Sequence, residues 1–314
     1  MSDEWTFSSS FEYANEEDAQ WQFHDKPGQT HRQDLTGWEA NNRSGVKGRL
    51  LEVVHGYKAN DESRPRTLIV FEWLLIPAGR KDRIKDVVIT VAFKAIGHRD
   101  GVGPGESLDD FDPVPIKWAP GLPICSGFSK ATVTETANTD AGVQAGYNGL
   151  SLSVNRGVGT STTVERMDHR LITGSNSYVD KNDGISNAMQ WRFSENAQLK
   201  SGVQYVVRTA VLLRRRKFDD GNFNVVVVAE ANGSSTSRML RTVRRFLGIP
   251  SKDGPAAFDP KVLPGSSDGE AGEDDMAARK TERDWRNLDN LKLEDVLLKD
   301  WGRESVEESS KNSS

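Results

Sequence analysis

The segment from residue 186 to 231 constrains the fold more than any other part of the chain. Residues 189–193 alternate large apolar and polar side chains, and residues 202–213 and 223–231 are runs rich in Val and Leu. Alternation with a period of two places successive side chains on opposite faces of a strand. Asp220-Gly221 lies between the last two runs and is typical of a hairpin turn, because such turns need residues that tolerate positive φ. The segment therefore predicts antiparallel β-sheet.

The strand pattern extends back to residue 46. Residues 66–76 are apolar on both faces, which predicts a central strand covered on both sides. Four prolines between residues 113 and 123 favour an edge strand or a crossover. Residues 128–136, 150–158 and 162–172 are predicted as three further strands. With about nine strands and no helical period between them, residues 46–231 are expected to form one all-β domain, an antiparallel β-sandwich.

The segments on either side of this domain differ from it in composition. Residues 1–45 are polar, with three scattered Trp, and predict an arm that is partly ordered. Residues 237–248 have apolar side chains at helical spacing among arginines, which predicts a short basic helix docked on a sheet. Residues 251–314 are rich in Gly, Pro, Ser and acids and predict a disordered tail. The tail carries 10 basic and 16 acidic residues, so it is acidic while the body is near neutral.

Composition also limits the setting of the protein. No stretch offers the ~18 consecutive apolar residues that a transmembrane helix needs, and the N-terminus lacks the features of a secretory signal. Cys125 is the single cysteine, so no intrachain disulfide forms. These features predict a cytoplasmic, intracellular protein that is not secreted. Nothing in the charge distribution favours nucleic acid as a partner.

Several phrases together resemble a group of uncharacterised all-β proteins from filamentous fungi. The resemblance covers roughly residues 46–231 and implies the fold, with no assigned activity and no catalytic residues to transfer. The phrases that carry it are Thr67-Leu68-Ile69-Val70-Phe71, Arg83-Ile84-Lys85, the stretch from Pro115 to Pro120, Trp191-Arg192-Phe193-Ser194-Glu195-Asn196, Lys200-Ser201-Gly202, and Ala210-Val211-Leu212-Leu213-Arg214-Arg215.

No catalytic arrangement stands out in the sequence. Nucleophile elbows, phosphate loops, dinucleotide fingerprints and zinc-ligand spacings are all missing. The acidic cluster Asp109, Asp110 and Asp112 is a weak calcium candidate, because calcium takes six to eight oxygen ligands and one loop supplies too few. We therefore expect no cofactor and no enzymatic activity.

The basic residues fall into two groups that are candidates for binding an anionic partner. The first group follows the apolar run 202–213 and comprises Arg214, Arg215 and Arg216; the second lies in the predicted basic helix and comprises Arg238, Arg241, Arg244 and Arg245. Three interpretations remain open. The helix docks on a sheet, the arginines pair with the acidic tail, or they bind anionic lipid at a membrane surface.

Two further patterns suggest interactions. Residues 142–159 alternate small side chains as membrane-inserting hairpins do, and Leu150, Leu152 and Val154 begin an apolar face. Arg156 interrupts that face, which argues against insertion. In the tail, Leu293, Val296, Leu297 and Trp301 have the spacing of a helix that binds in a partner's groove.

The leading hypothesis is an intracellular, non-enzymatic interaction module that recruits a protein partner; the alternative is peripheral binding to anionic lipid through the basic helix, with calcium assisting. An enzyme of unrecognised type is a third possibility.

Overall fold

The chain folds into two antiparallel sheets. The structure, a computed structural model, describes residues 25–26, 28–36, 45–77, 82–99, 105–147, 150–181, 184–233, 254–265, 276–279 and 281–301, with residues 130–167 described by backbone path and strand register. Within these ranges there are eleven strands and little helix, which confirms the all-β sandwich predicted from the sequence.

The elements follow one another as strands, with helical turns in two places. The strands are β1 Asp34–Thr36, β2 Gly45–Lys58, β3 Asp61–Ile76, β4 Ile84–Ala95, β5 Val114–Ala119, β6 Ile124–Tyr147, β7 Leu150–Ser177, β8 Ala188–Ser194, β9 Val206–Arg214, β10 Phe223–Gly233 and β11 Ala256–Phe258. Short 3₁₀ turns span Leu108–Phe111 and Trp285–Asn290, and one helix, α1, spans Leu293–Trp301.

The chain passes between the two sheets five times. The five-stranded sheet has the order β1-β2-β3-β9-β5, and the six-stranded sheet has the order β11-β10-β4-β8-β7-β6. The proline-containing strand β5 lies at the edge of its sheet, which is one of the two positions predicted. Proline has no backbone N–H to donate to a second neighbouring strand.

Large aromatic side chains fill the space between the two sheets. Phe71 and Trp73 of β3 stack with ring centroids 5.3 Å apart, and the ring of Trp191 on β8 lies 5.8 Å from that of Phe71. All three side chains are fully buried. The buried indole Nε1 of Trp73 donates to Thr209 Oγ1 at 2.8 Å, so its polar group is satisfied within the core.

The outer face of the five-stranded sheet is covered by the C-terminal segment 281–301, which we call the strap. Leu68 and Val70 of β3 and Leu212 of β9 point to this face and are buried. Four apolar strap residues pack against them, namely Leu288, Leu293, Val296 and Leu297. The prediction that residues 66–76 are covered on both faces is confirmed, and the strap supplies the second cover.

Ion pairs fasten the strap at two points. Asp289 accepts from Arg66 Nε at 2.7 Å and lies 3.4 Å from Lys58 Nζ. Arg283 Nε lies 2.8 Å from a carboxylate oxygen of Glu52. Burial raises the pKa of Asp289, but the hydrogen bonds and charges of Arg66 and Lys58 outweigh it, so the net shift is downward. The strap carboxylate is therefore held in its charged form.

Three sequence-based expectations need correction. The tail predicted as disordered is folded over residues 254–265 and in the strap, because its apolar residues meet an apolar sheet face.

The two runs around Asp220-Gly221 do not form a hairpin, since β9 and β10 belong to different sheets. Arg99 occupies the space beside Gly221, where a Cβ would lie 2.1 Å from its guanidinium. The three strands predicted over 128–172 are parts of the two long strands β6 and β7. The predicted basic helix 237–248 lies outside the described residues.

Substituting Gly56 by Ala should detach the strap. A Cβ at this position would lie 1.9 Å from the carbonyl oxygen of Trp285, and backbone cannot move aside as a side chain can. We expect faster hydrogen exchange in the strap and a lower melting temperature, with a destabilisation of roughly 1–3 kcal/mol. Leu288→Ala, which removes a buried strap side chain instead, is the comparison and should expose the same peptides. Unchanged exchange in both variants would contradict the packing described.

Candidate functional site

The feature of the fold that sequence analysis did not predict is a long two-stranded ribbon. We use "ribbon" for residues 129–147 of β6 and 150–168 of β7, which pair with each other in continuous antiparallel register. Beyond the ribbon, β7 pairs with β8 from Leu171 to Ser177, and this joins the ribbon to the six-stranded sheet. The ribbon therefore extends past the body of the sandwich from one end of that sheet.

One face of the ribbon is polar along residues 132–146 and 151–165, beyond the Lys130–Met167 pair at its root. Directly opposed residues in an antiparallel pair share a face, and that face recurs at every second residue. On one side these positions hold only Ser, Thr, Asn, Gln, Asp, Glu or Gly. They are Thr132, Thr134, Thr136, Asn138, Asp140, Gly142, Gln144 and Gly146 of β6, opposite Glu165, Thr163, Ser161, Gly159, Gly157, Asn155, Ser153 and Ser151 of β7.

The other face is mainly apolar, and most so toward the tip. Its positions nearest the tip are the opposed pairs Tyr147 with Leu150, Ala145 with Leu152, Val143 with Val154, Ala141 with Arg156, Thr139 with Val158 and Ala137 with Thr160. Arg156 is the single charged residue among them. The signal in the sequence was the alternation over residues 131–147. Sequence analysis noted its end at residues 142–159 but argued against insertion because Arg156 interrupts the apolar face. Its full length was missed because Ala and Thr make the alternation weak, and because only the register joins it to the alternation in β7.

Both long edges of the ribbon lack a neighbouring strand in the part of the chain that the structure describes. β6 is the last strand of the six-stranded sheet, and residues 150–168 of β7 pair only with β6. The outward N–H and C=O groups along these edges are available to another strand. An edge of this length is a template for pairing with a further chain.

A bulge and a buried asparagine hold the root of the ribbon. The register between β6 and β7 shifts between Ser126 and Ser129, and Gly127 adopts a φ of 59° there. Fully buried Asn196 donates to Gly127 O at 2.8 Å and to Ser129 Oγ at 2.9 Å. Its own oxygen accepts from the backbone N–H of Leu199 at 2.9 Å. The root is thus tied to the loop that follows β8, and the bulge bends the ribbon relative to the sheet.

A cavity of about 200 Å³ lies at the same end of the sandwich. Arg83, Lys200, Ser201 and Tyr205 contribute to its wall. Arg83 Nε lies 2.9 Å from Glu195, so its charge is balanced within the protein. The cavity is polar and opens to solvent, which suits a charged group better than an apolar ligand.

The residues considered for calcium binding have different surroundings in the fold. Asp109 and Asp110 are exposed, and the Asp110 carboxylate accepts from the backbone of Ser107 at 2.8 Å. Asp112 is buried and accepts from Ala95 N at 2.8 Å and from the Asn187 side chain at 3.0 Å. Within the described ranges, no group of three or more His, Cys, Asp or Glu could hold a metal ion. The cluster is a structural corner between β4 and β5.

The first group of basic residues is divided by the fold. Arg214 and Arg216 are exposed, and Arg216 lies 2.7 Å from Glu106. Arg215 is buried and donates to the backbone oxygen of Asp219 at 2.7 Å. Burial lowers the pKa of Arg215 to about 10, against the opposing effect of Asp219. These three arginines therefore present no common surface. The second group, Arg238, Arg241, Arg244 and Arg245, lies outside the described residues.

The apolar residues of the tail motif pack against the protein's own body. Leu293, Val296 and Leu297 lie on α1 and are buried against the outer face of the five-stranded sheet. Trp301 ends the helix. The apolar spacing was interpreted as that of a helix that binds a partner's groove; in this structure the same residues cover a sheet face of their own chain.

Two buried histidines form a polar contact across the core. His31 Nε2 and His55 Nε2 are 2.9 Å apart, and the N–H of Asp259 donates to His31 Nε2 at 3.1 Å. His31 Nε2 is therefore unprotonated, and His55 Nε2 is the donor between the rings. His55 Nδ1 then accepts from Thr67 Oγ1 at 2.9 Å. Burial, followed by the charges of His31 and Arg215, lowers the pKa of His55 well below its usual value.

Comparisons with known proteins add little. No protein-family model matches the sequence, and no curated protein matches it. One solved structure with some likeness is the Clostridium perfringens NetB toxin in the membrane inserted form, at 7% identity and a TM-score of 0.27, over 65% of this chain and 84% of that one. At this TM-score the likeness carries no argument. In the described part of the chain, no helix is long and apolar enough to cross a bilayer.

Buried His55 should make the fold sensitive to acid. Folded His55 stays neutral while the unfolded chain binds a proton near pH 6.5, so the unfolded state takes up more protons below that value. The free energy of unfolding should then fall as the pH drops below ~6.5, by up to ~1.4 kcal/mol per pH unit. Urea unfolding between pH 5 and 7.5 measures this slope.

Variants identify the histidine responsible for the slope. His55→Gln should flatten it, whereas His98→Gln, which changes an exposed histidine, should leave it as in the original protein. An equal slope in all three proteins would show that His55 is not the group that titrates.

Proposed function

We propose that this protein binds lipid bilayers and inserts the ribbon into them. The observation that carries the proposal is the register of β6 and β7, which collects polar residues on one face and mainly apolar residues on the other. A strand pair that separates water from lipid needs this division. The protein would thus be a non-enzymatic interaction protein whose partner is a membrane.

The length of the apolar face supports the proposal. A tilted strand crosses the hydrocarbon core with about 9–11 residues. Residues 137–147 of β6 and 150–160 of β7 reach this length on either side of the tip, and the charged residues Glu135 and Arg166 come only after it on the same face. The apolar stretch therefore ends where the water boundary would lie.

Backbone hydrogen bonding requires several copies to insert together. In hydrocarbon every N–H and C=O group needs a partner, because no water is available to replace it. A single ribbon leaves both of its long edges unpaired. If β6 of one copy pairs with β7 of the next, successive ribbons satisfy these edges, and a closed ring leaves none exposed. We therefore propose that insertion is coupled to self-assembly.

Arg156 is the residue on the apolar face that opposes insertion. Arginine near the middle of a bilayer costs about 2–4 kcal/mol on the lipid-facing side of a strand. Its opposed residue is Ala141, which has no polar group to offer. Assembly of several ribbons must offset this cost, or the Arg156 guanidinium must reach the headgroups along the ribbon.

The earlier hypotheses fit the geometry less well. Recruitment of a protein partner through Leu293, Val296 and Leu297 would first require the strap to leave the sheet that it covers. Lipid binding through the basic helix 237–248 concerns residues outside the described ranges. A cytoplasmic setting, inferred from the single Cys125, is kept as a proposal, and the test below is independent of it.

Two neighbouring residues on opposite faces provide the test. Val143→Arg places a charge on the apolar face, while Gln144→Arg places the same charge on the polar face. We expect the first variant to lose release of a trapped dye from phosphatidylcholine vesicles by at least ~10-fold, and the second to retain it. Equal loss, equal retention, or no release by the original protein would contradict insertion of the ribbon.

A substitution at Arg156 should act in the opposite direction. Arg156→Leu removes the charge that costs about 2–4 kcal/mol in the hydrocarbon, so dye release should begin at a lower protein concentration. Arg166→Leu, beyond the proposed boundary, is the matched control and should change release much less. A slower or unchanged release by Arg156→Leu would show that this residue does not enter the bilayer.

A further inference from the structure

We infer that the protein rests on the bilayer through one defined end of the sandwich, which we call the root surface. It consists of Ile76, Phe128, Leu199, Lys200, Tyr205 and Val206. The inference names the docking surface for the function proposed above and rests on that proposal. Its partner is the layer of phospholipid headgroups.

Contacts in the body bring these residues to the end from which the ribbon leaves. Arg170, opposite Ser126 at the ribbon's root, donates through Nη2 to Ser201 Oγ at 2.9 Å and through Nε to Gly202 O at 3.2 Å. The loop that carries Leu199 and Lys200 is thus attached directly to β7. Tyr205 O accepts from Leu75 N at 2.7 Å, which aligns the start of β9 with the end of β3.

The root surface exposes apolar side chains beside the ribbon. Phe128 is 59% exposed, Leu199 54% and Tyr205 63%. Aromatic side chains favour the boundary between water and hydrocarbon, where the ring is shielded and a hydroxyl stays hydrated. The ring of Phe128 lies 5.6 Å from that of His169 on the facing strand, so its position is linked to the root of the ribbon.

The same surface offers positive charge for phosphate. No described carboxylate lies within ion-pair distance of the exposed Lys200, and this residue lines the cavity with Ser201 and Tyr205. Arg83 and Arg170 hold the loop by their bonds to Glu195, Ser201 and Gly202. Lys200 is an exposed cation beside the cavity, whose wall also includes Asp82. A lysine near a charged bilayer surface contributes attraction that adds to apolar contact.

The opposite end of the sandwich also exposes aromatic side chains, Tyr178 and Phe218, and Lys217 lies 5.1 Å from the Phe218 ring there. It differs in its exposed carboxylates Asp109, Asp110 and Asp180, of which Asp180 lies 3.3 Å from Lys94. Continuity with the ribbon therefore selects the root surface over the far end, and Tyr178 is a matched control for Tyr205.

Binding without insertion is measured in the full chain carrying Val143→Arg, which the proposed function predicts to be unable to insert. Cosedimentation with vesicles of phosphatidylcholine, alone or with phosphatidylserine, gives the affinity. We expect Lys200→Gln to weaken binding about fivefold and Tyr205→Ser to weaken it by a similar factor. Tyr178→Ser should leave the affinity unchanged, and thermal unfolding verifies that each variant is folded.

Each outcome bears on the inference. Equal binding by the Lys200, Tyr205 and Tyr178 variants would overturn it, as would full competition by millimolar inorganic phosphate, because the site would then recognise free phosphate. Dye release and cosedimentation separate the two claims. Binding that depends on Tyr205 without dye release by the original protein would overturn insertion and leave the docking surface in place. Dye release that is unaffected by substitution of Lys200 and Tyr205 would overturn the docking surface and leave insertion in place.

Discussion

The structure depends on the burial of two central strands on both of their faces. β3 and β9 carry large apolar side chains inward, such as Phe71 and Val211, and equally apolar side chains outward, such as Leu68 and Leu212. An antiparallel sheet ordinarily buries one face and leaves the other in water. Here the six-stranded sheet covers the inner face and the strap covers the outer one. The outward residues would otherwise form an exposed apolar patch.

This arrangement gives the C-terminal region a structural role. The charges of Arg66 and Lys58 hold Asp289 beside the sheet, and Arg283 is paired with Glu52. Such pairs at a partly exposed boundary add little stability individually, so their main effect is to fix where the strap lies. The stabilising contribution comes from the apolar side chains of the strap, and the position of Gly56 allows its backbone to approach the sheet.

The ribbon is the contrasting element. It extends from a body whose strands are covered, yet its own long edges have no neighbouring strand among the described residues. A soluble chain normally blunts or hides such edges. The ribbon is consistent with the physical demands of a bilayer, in which an apolar face is favourable and paired edges are required. Its root is tied to the body by Asn196 and the Gly127 bulge.

Sequence alone determined the class of fold and the doubly covered strand 66–76, and it limited β5 to an edge strand or a crossover, because period-two patterning and proline chemistry are local properties. It also found the apolar spacing of residues 293–297. It could not find the partner of that spacing, which is a sheet face built from residues more than 80 positions earlier in the chain. Nor could it join the weak alternation of β6 to that of β7. Only the tertiary register places Val143 opposite Val154 and Gln144 opposite Ser153, since a shift of one residue would mix the two faces and erase the ribbon's amphipathic character.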